Sequence, residues 1–146
     1  MNSLQRNTRK PPVNRIVLDS AAVLAMLQGE PGGERVEAIL DAMELGADVQ
    51  VAISSVNWCE VLTRTQRDHR GMAAEELTAA LAGIELIPFS KEAAEIAASY
   101  ALISQALSLG DRACLALAKI NYATAWTADR IWVQFNLEVP VELIRN

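Results

Sequence analysis

The chain has 146 residues, 51% of them hydrophobic and 21% charged, with a net charge of −5. That is enough for one domain with a real core, and it excludes a disordered chain. The acidic balance excludes general nucleic-acid affinity, so any such work must rest on local basic patches or bound cations.

Residues 1–14 are polar, basic and proline-containing (Arg6, Arg9, Lys10, Pro11, Pro12) and read as a flexible lead-in to a single domain over 15–146. Arg15-Ile16-Val17-Leu18 predicts a buried strand ending at Asp19-Ser20, and Ala21 to Gln28 a short helix closed by Gly29 and Pro31. Val36, Ile39, Leu40 and Met43 form the apolar stripe of a helix over 34–45, with Glu37, Asp41 and Glu44 off the stripe. Gln50 to Ser54 predicts a second strand. Ser54 or Ser55 caps a helix to about His69, and a further helix covers about 72–83.

Ile84 to Phe89 predicts a third strand, interrupted by Pro88, and Ser90 caps an alanine-rich helix to about Leu107. The next helix starts at Ser108-Leu109-Gly110-Asp111. Its body, Ala113 to Ala118, is apolar on every side and is expected to be buried. Ala123 to Thr127 predicts a fourth strand, Asp129 opens a helical turn with Trp132 and Phe135, and Glu138 to Ile144 is a last strand.

Strands alternating with helices predict an α/β fold, a three-layer sandwich with a central, mainly parallel sheet between two helical layers. Ligands of such sheets bind beyond the carboxyl ends of the strands, and acids fall there. Asp19 follows the first strand directly, Asp129 follows the fourth, and Asp111 lies in the first turn of the buried helix. Glu60 sits among Trp58, Cys59, Val61 and Leu62, where a carboxylate is paired, neutral or bound to a cation.

Each acid also has a purely structural reading: caps for Asp19 and Asp129, the helix dipole for Asp111, an i,i+4 pair with Arg64 for Glu60. Four acids from four segments meeting at one edge favour a shared role. Carboxylates held that close need a cation, and oxygen-only ligands suit Mg²⁺ or Mn²⁺. The one histidine, His69, sits among Arg67, Asp68 and Arg70 as a solvated residue, while Cys59 and Cys114 lie in apolar runs and read as buried. Without a histidine base or a thiol nucleophile, metal-activated water is the remaining chemistry.

The runs Ile16 to Ala22, Ile53 to Leu62, Leu107 to Ala116 and Thr127 to Arg130, in this order, resemble the PIN-domain nucleases. Within them they resemble the VapC-type toxins of toxin–antitoxin pairs, with similarity from about Arg15 to Arg145. The resemblance implies a PIN-like fold and a ribonuclease that hydrolyses RNA phosphodiesters with Mg²⁺ or Mn²⁺. It puts the catalytic and metal site on Asp19, Glu60, Asp111 and Asp129, with Ser20, Asn57 and Thr127 as supporting polar residues. Asp19 and Asp111 are then direct or water-mediated ligands, Glu60 completes the site or orients the attacking water, and Asp129 has the most variable role. A homodimer, a cognate VapB-type antitoxin entering the active-site groove, and structured targets such as transfer RNA are implied as well. The residues ahead of Arg15 depart from the family pattern; an upstream start site or a basic arm for RNA would account for them.

RNA-phosphate contacts are expected at Arg64, Arg67, Arg112 and Arg130. Against this, Arg64, Arg67 and Arg70 also suit a solvated helix face, and Arg112 and Arg130 also suit holding the acids that precede them. Trp58, Trp126 and Trp132 are expected in the core or a dimer interface. Nothing resembles a signal peptide and no apolar run approaches the roughly 18 residues of a membrane span, so a cytoplasmic protein is expected. The alternatives are an RNA-processing PIN nuclease without antitoxin, a non-catalytic PIN-like module, or an Asp19-phosphorylated phosphatase or receiver-like domain. Ala21, where such phosphatases carry a second aspartate, and Trp126-Thr127, where a receiver carries lysine, argue against the last.

Overall fold

The computed structural model describes residues 14–67 and 74–146; the lead-in over residues 1–13, His69, Arg70 and the expected start of the helix at 72 lie outside the described residues. Five parallel strands form one sheet in the order β3-β2-β1-β4-β5. They are β1 (Asn14–Leu18), β2 (Val49–Ser54), β3 (Glu85–Ile87), β4 (Thr124–Thr127) and β5 (Val141–Leu143). The helices are α1 (Ser20–Gln28), α2 (Gly33–Glu44), α3 (Ser55–Arg67), α4 (Ala74–Ala80), α5 (Lys91–Tyr100) and α6 (Leu109–Asn121), with a 3₁₀ turn at Arg130–Gln134. The expected three-layer α/β/α sandwich with a parallel sheet is the architecture found.

The period-2 alternation of the strands separates the two layers. Ile16, Leu18, Val51, Ile53 and Trp126 pack with Val23 and Leu24 of α1, Val36 of α2 and Val61 of α3. Val17, Ala52 and Ala125 face the other way, onto Cys114, Leu115 and Ala118 of α6, Tyr100 of α5 and Trp132 of the 3₁₀ turn. Trp132 and Trp126 are core residues and Trp58 packs against the core. Ala93, Ala97 and Ala116 form the α5–α6 contact, where small side chains let the helices approach. This is the physical meaning of the alanine-rich composition.

Several elements are shorter than their sequence pattern. β3 stops at Ile87 because Pro88 has no N–H for the ladder. α5 ends at Tyr100 rather than near Leu107. The N–H groups of Ala101, Leu102 and Ile103 bond back three residues instead of four, and the Ser104 hydroxyl accepts from Ala106 N–H, competing with the helix. The last strand is three residues long. Glu138, at φ 58, and Pro140 ahead of it do not fit a regular strand.

The connections from β1 lead to β2 and β3 on one side, and β4 and β5 lie on the other. The crevice between the carboxyl ends of β1 and β4 is therefore the switch point where an open parallel sheet offers a binding site.

At its first residue, Gly33, α2 rests directly on the backbone of α1. A Cβ on Gly33 would stand 2.3 Å from the Ala25 carbonyl oxygen and 2.7 Å from the Met26 Cα, both backbone. Gly33→Ala is expected to destabilise the fold by about 2–3 kcal/mol, read as a lower urea midpoint at unchanged slope.

Candidate active site

Asp19 is the first residue past β1. Its N–H bonds Trp126 O at 3.1 Å, extending the β1–β4 ladder by one step. That places its carboxylate against Thr127, whose hydroxyl donates to Asp19 Oδ2 (2.5 Å), while Oδ1 accepts from Ala22 N–H at 2.7 Å as the N-cap of α1. Thr127 Oγ1 in turn accepts from the Asp129 N–H at 3.0 Å, and Asp129 Oδ1 caps the 3₁₀ turn through Ile131 N–H. Asp111 forms a capping box with Ser108: Ser108 N–H donates to Asp111 Oδ2 at 2.9 Å and Asp111 N–H donates to Ser108 Oγ at 3.1 Å.

Glu60 reaches the same edge from α3, whose first turn is capped by Ser54 through Val56 N–H. Its Oε1 accepts from Ser20 Oγ at 2.9 Å and from Asn57 Nδ2 at 3.0 Å, and Asn57 Nδ2 also donates to Gly110 O. The pair with Arg64 does not form among the described residues. Thr127 therefore joins Asp19 to Asp129, Ser20 and Asn57 hold Glu60, and Ser108 holds Asp111.

Gly110 is a residue that sequence reasoning passed over, although it lies inside the Ser108 to Asp111 run. A Cβ there would stand 2.4 Å from both carboxylate oxygens of Glu60. The only available signal was a glycine, a poor helix former, in the first turn of a buried helix. Its bare backbone lets the Glu60 carboxylate rest against the positive end of α6.

Burial and mutual repulsion mark the cluster. Asp19 is 4% exposed. Burial pushes its carboxyl up to about 7, against lowering by the Thr127 and Ala22 hydrogen bonds, and Asp111 and Asp129 add repulsion. Asp111 is also raised, first by burial, then by Asp129 and Glu60, with Ser108 opposing. Beneath them the buried Cys114 thiol is pushed well up by burial and by Asp19, Asp111 and Glu60.

Among the described residues, no group of three or more His, Cys, Asp or Glu side chains is arranged to hold a metal ion as it stands. The hydrogen bonds explain this: each acid is held by its own cap or partner. The donor set nevertheless suits a hard cation, being all oxygen. Asn57 Oδ1, beside Glu60, is a buried acceptor without a protein donor.

The arginines divide. Arg64 and Arg67 line an open cleft of about 300 Å³ with Ser20 and Glu60. Arg130 is exposed beside Asp129. The guanidinium of Arg112 donates to the carbonyls of Leu107 (3.3 Å) and Ala97 (3.2 Å), clamping α6 to the end of α5. Cys59 is a correction. It is exposed, because the outer face of α3 turns it into the same cleft, while Cys114 is buried as expected.

The sequence model of the PIN domain matches residues 16–136. The chain belongs to the PIN-domain family. No curated protein sequence matches it. Three solved structures share the PIN fold with it. VapBC2 from Rickettsia felis bound to a promoter DNA fragment has a TM-score of 0.67 at 16% identity, covering 88% of this chain and 97% of that one. FitAcB from Neisseria gonorrhoeae has 0.60 at 21%, covering 88% and 97%. A toxin–antitoxin complex from Klebsiella pneumoniae has 0.60 at 22%, covering 78% and 86%. Among the described residues no helix is long and apolar enough to cross a membrane.

Two predictions follow from the PIN edge. In Gly110→Ala the Glu60 carboxylate, a flexible chain end, must move off α6. The Asn57 side-chain amide protons should shift and lose exchange protection by NMR while Tm stays within a few degrees of wild type. For Asp19, the folded carboxyl titrates near 7 against 3.8 unfolded, so between those values the native state keeps a proton that the unfolded chain has lost. Metal-free stability should then fall as pH rises from about 4 to 7 and level off above. Asp19→Asn should remove this loss, on the order of 2–4 kcal/mol at pH 8 in EDTA, measured by urea unfolding.

Proposed function

We propose that this PIN-domain protein is the toxin of a toxin–antitoxin pair, a divalent-metal-dependent endoribonuclease that hydrolyses RNA phosphodiester bonds. The single observation that carries the reading is the meeting of Asp19, Glu60, Asp111 and Asp129 in one electrostatically coupled cluster at the sheet's switch point. Membership of a nuclease family supports the enzyme class, and likeness to toxin–antitoxin complexes supports the biological setting.

Mg²⁺ or Mn²⁺ would be held by Asp19, Asp111, Glu60 and Asp129. There it would neutralise the crowded carboxylates, lower the pKa of a water nucleophile and stabilise charge on the phosphate oxygens. The protein's own part is positioning. Thr127 and the α1 N-terminus fix both oxygens of Asp19. Ser20 and Asn57 hold Glu60 Oε1 and leave Oε2 for a water or an ion. The Ser108 capping box holds Asp111 by one oxygen, and Asp129 is likewise held through Oδ1. Arg130 lies beside this edge and suits a phosphate contact.

A VapB-type antitoxin is the proposed partner, its positive groups drawn to the acidic crevice. A homodimer is proposed as well; Leu102, Ile103 and Leu109 are exposed apolar side chains of the kind a second copy would cover. The proposed substrate is structured RNA, transfer RNA among the candidates, and the proposed compartment is the cytoplasm.

The test is cleavage of a mixed RNA pool by purified protein with Mg²⁺, with Mn²⁺ or with EDTA, alongside Asp19→Asn and Asp111→Asn. Cleavage should require the metal and fall at least about 10²-fold in each variant. Metal-independent cleavage, or full activity in the variants, would overturn the reading.

A further inference from the structure

The cleft beside Glu60 carries more than the catalytic acids require. Ser20, Cys59, Glu60, Thr63, Arg64 and Arg67 line it, and it opens to solvent with a volume of about 300 Å³. Arg64 and Arg67 lie in the last turns of α3, one face along from Glu60. At 1.5 Å per residue they stand about 6 and 10 Å beyond it along the helix axis.

Neither guanidinium has an ion-pair partner among the described residues. Glu60, four residues before Arg64, is the natural partner by spacing, yet its Oε1 is taken by Ser20 and Asn57, which hold the carboxylate on α6. In a chain of net charge −5, two adjacent uncompensated cations in a concave surface leading away from an acidic site are a conspicuous exception to the acidic balance. Arg35 and Arg145 are each paired with a carboxylate, and Arg15 and Arg112 donate to neutral side-chain and backbone oxygens. The hydroxyls of Thr63 and Ser20 in the same walls donate to Cys59 O and Glu60 Oε1, which leaves the guanidinium groups as the cleft's charged donors.

We infer that this cleft is a docking site for the backbone phosphates of the RNA strand flanking the cut, with Arg64 and Arg67 each taking one phosphate and the acids of the site receiving the next phosphate along. The inference rests on the nuclease reading for the identity of the strand. Arginine suits the task because its fork bonds two phosphate oxygens together and stays charged at any working pH. Phosphate contacts of this kind fix register and direction without reading bases. The strand therefore enters along α3, and the arrangement sets which side of the scissile bond the protein grips.

The test uses a fluorescein-labelled 12-nucleotide RNA with Ca²⁺ in place of Mg²⁺, read by anisotropy across salt concentrations. The wild type is compared with Arg64→Gln/Arg67→Gln and with Lys91→Gln, a control at an exposed ion-paired lysine on α5. The double variant should bind about tenfold more weakly at 0.1 M salt, and its log Kd against log salt should be shallower by about 1.4, two phosphates at about 0.7 each. The control should change neither. Cys59 supplies a footprint: bound RNA should slow its reaction with N-ethylmaleimide in the wild type, with Cys114 silent because it is buried. An unchanged salt slope in the double variant, no binding by the wild type, or RNA binding that leaves Cys59 fully reactive would overturn the inference. Cleavage of the same RNA with Mg²⁺, followed in parallel, separates the two claims. A protein that binds through the arginines but never cuts keeps the docking site and loses the nuclease reading.

Discussion

Repulsion among carboxylates at the end of β1 and β4 is the constraint around which the rest of the structure is arranged. Asp19 is buried where a lone charge is costly, with Asp111 and Asp129 adding to the penalty. The fold keeps it there by giving its two oxygens a hydroxyl and a helix N-terminus. The same device recurs at Asp111 and Asp129, each caught by the cap it makes. The capping readings of these acids and their convergence are thus one fact. At Asp111 and Asp129 the cap engages one carboxylate oxygen, whereas at Asp19 both oxygens are hydrogen-bonded. Strain of this sort belongs to a site that trades stability for function, and the proposed cation would relieve it.

Glu60 follows a different rule. It is delivered from the interior of α3 rather than from a helix end, so no cap holds it. Its place depends on Ser20 and Asn57 and on the missing side chain of Gly110. Because it rests against α6 instead of turning to Arg64, it leaves the basic cleft uncompensated. The acidic site and the basic cleft beside it are consequences of one hydrogen-bonding choice.

The layer order, the parallel sheet and the acids at its carboxyl edge were legible in the sequence, because strand–helix alternation and residues placed directly after strands are local signals. What escaped was decided by contacts distant in sequence. The extra turns expected after Tyr100 are lost to Ser104 and to the pull of Arg112 on Leu107 O. Gly110 matters only because Glu60, fifty residues earlier, lies over it. Cys59 and Cys114 sit in equally apolar runs, yet one faces solvent and the other the sheet, a difference set by which side of each helix the tertiary fold covers. Arg112 shares its position after a site acid with Arg130 but points inward to carbonyls.

Crystals soaked in Mn²⁺ and measured at an energy where manganese scatters anomalously would test the central claim most directly. The account predicts a peak in the crevice between the ends of β1 and β4, within ligand or water-bridged reach of Asp19, Glu60 and Asp111, with the carboxylates drawn inward around it. A crevice left without a peak at saturating Mn²⁺, or manganese bound only at acids elsewhere on the surface, would contradict it.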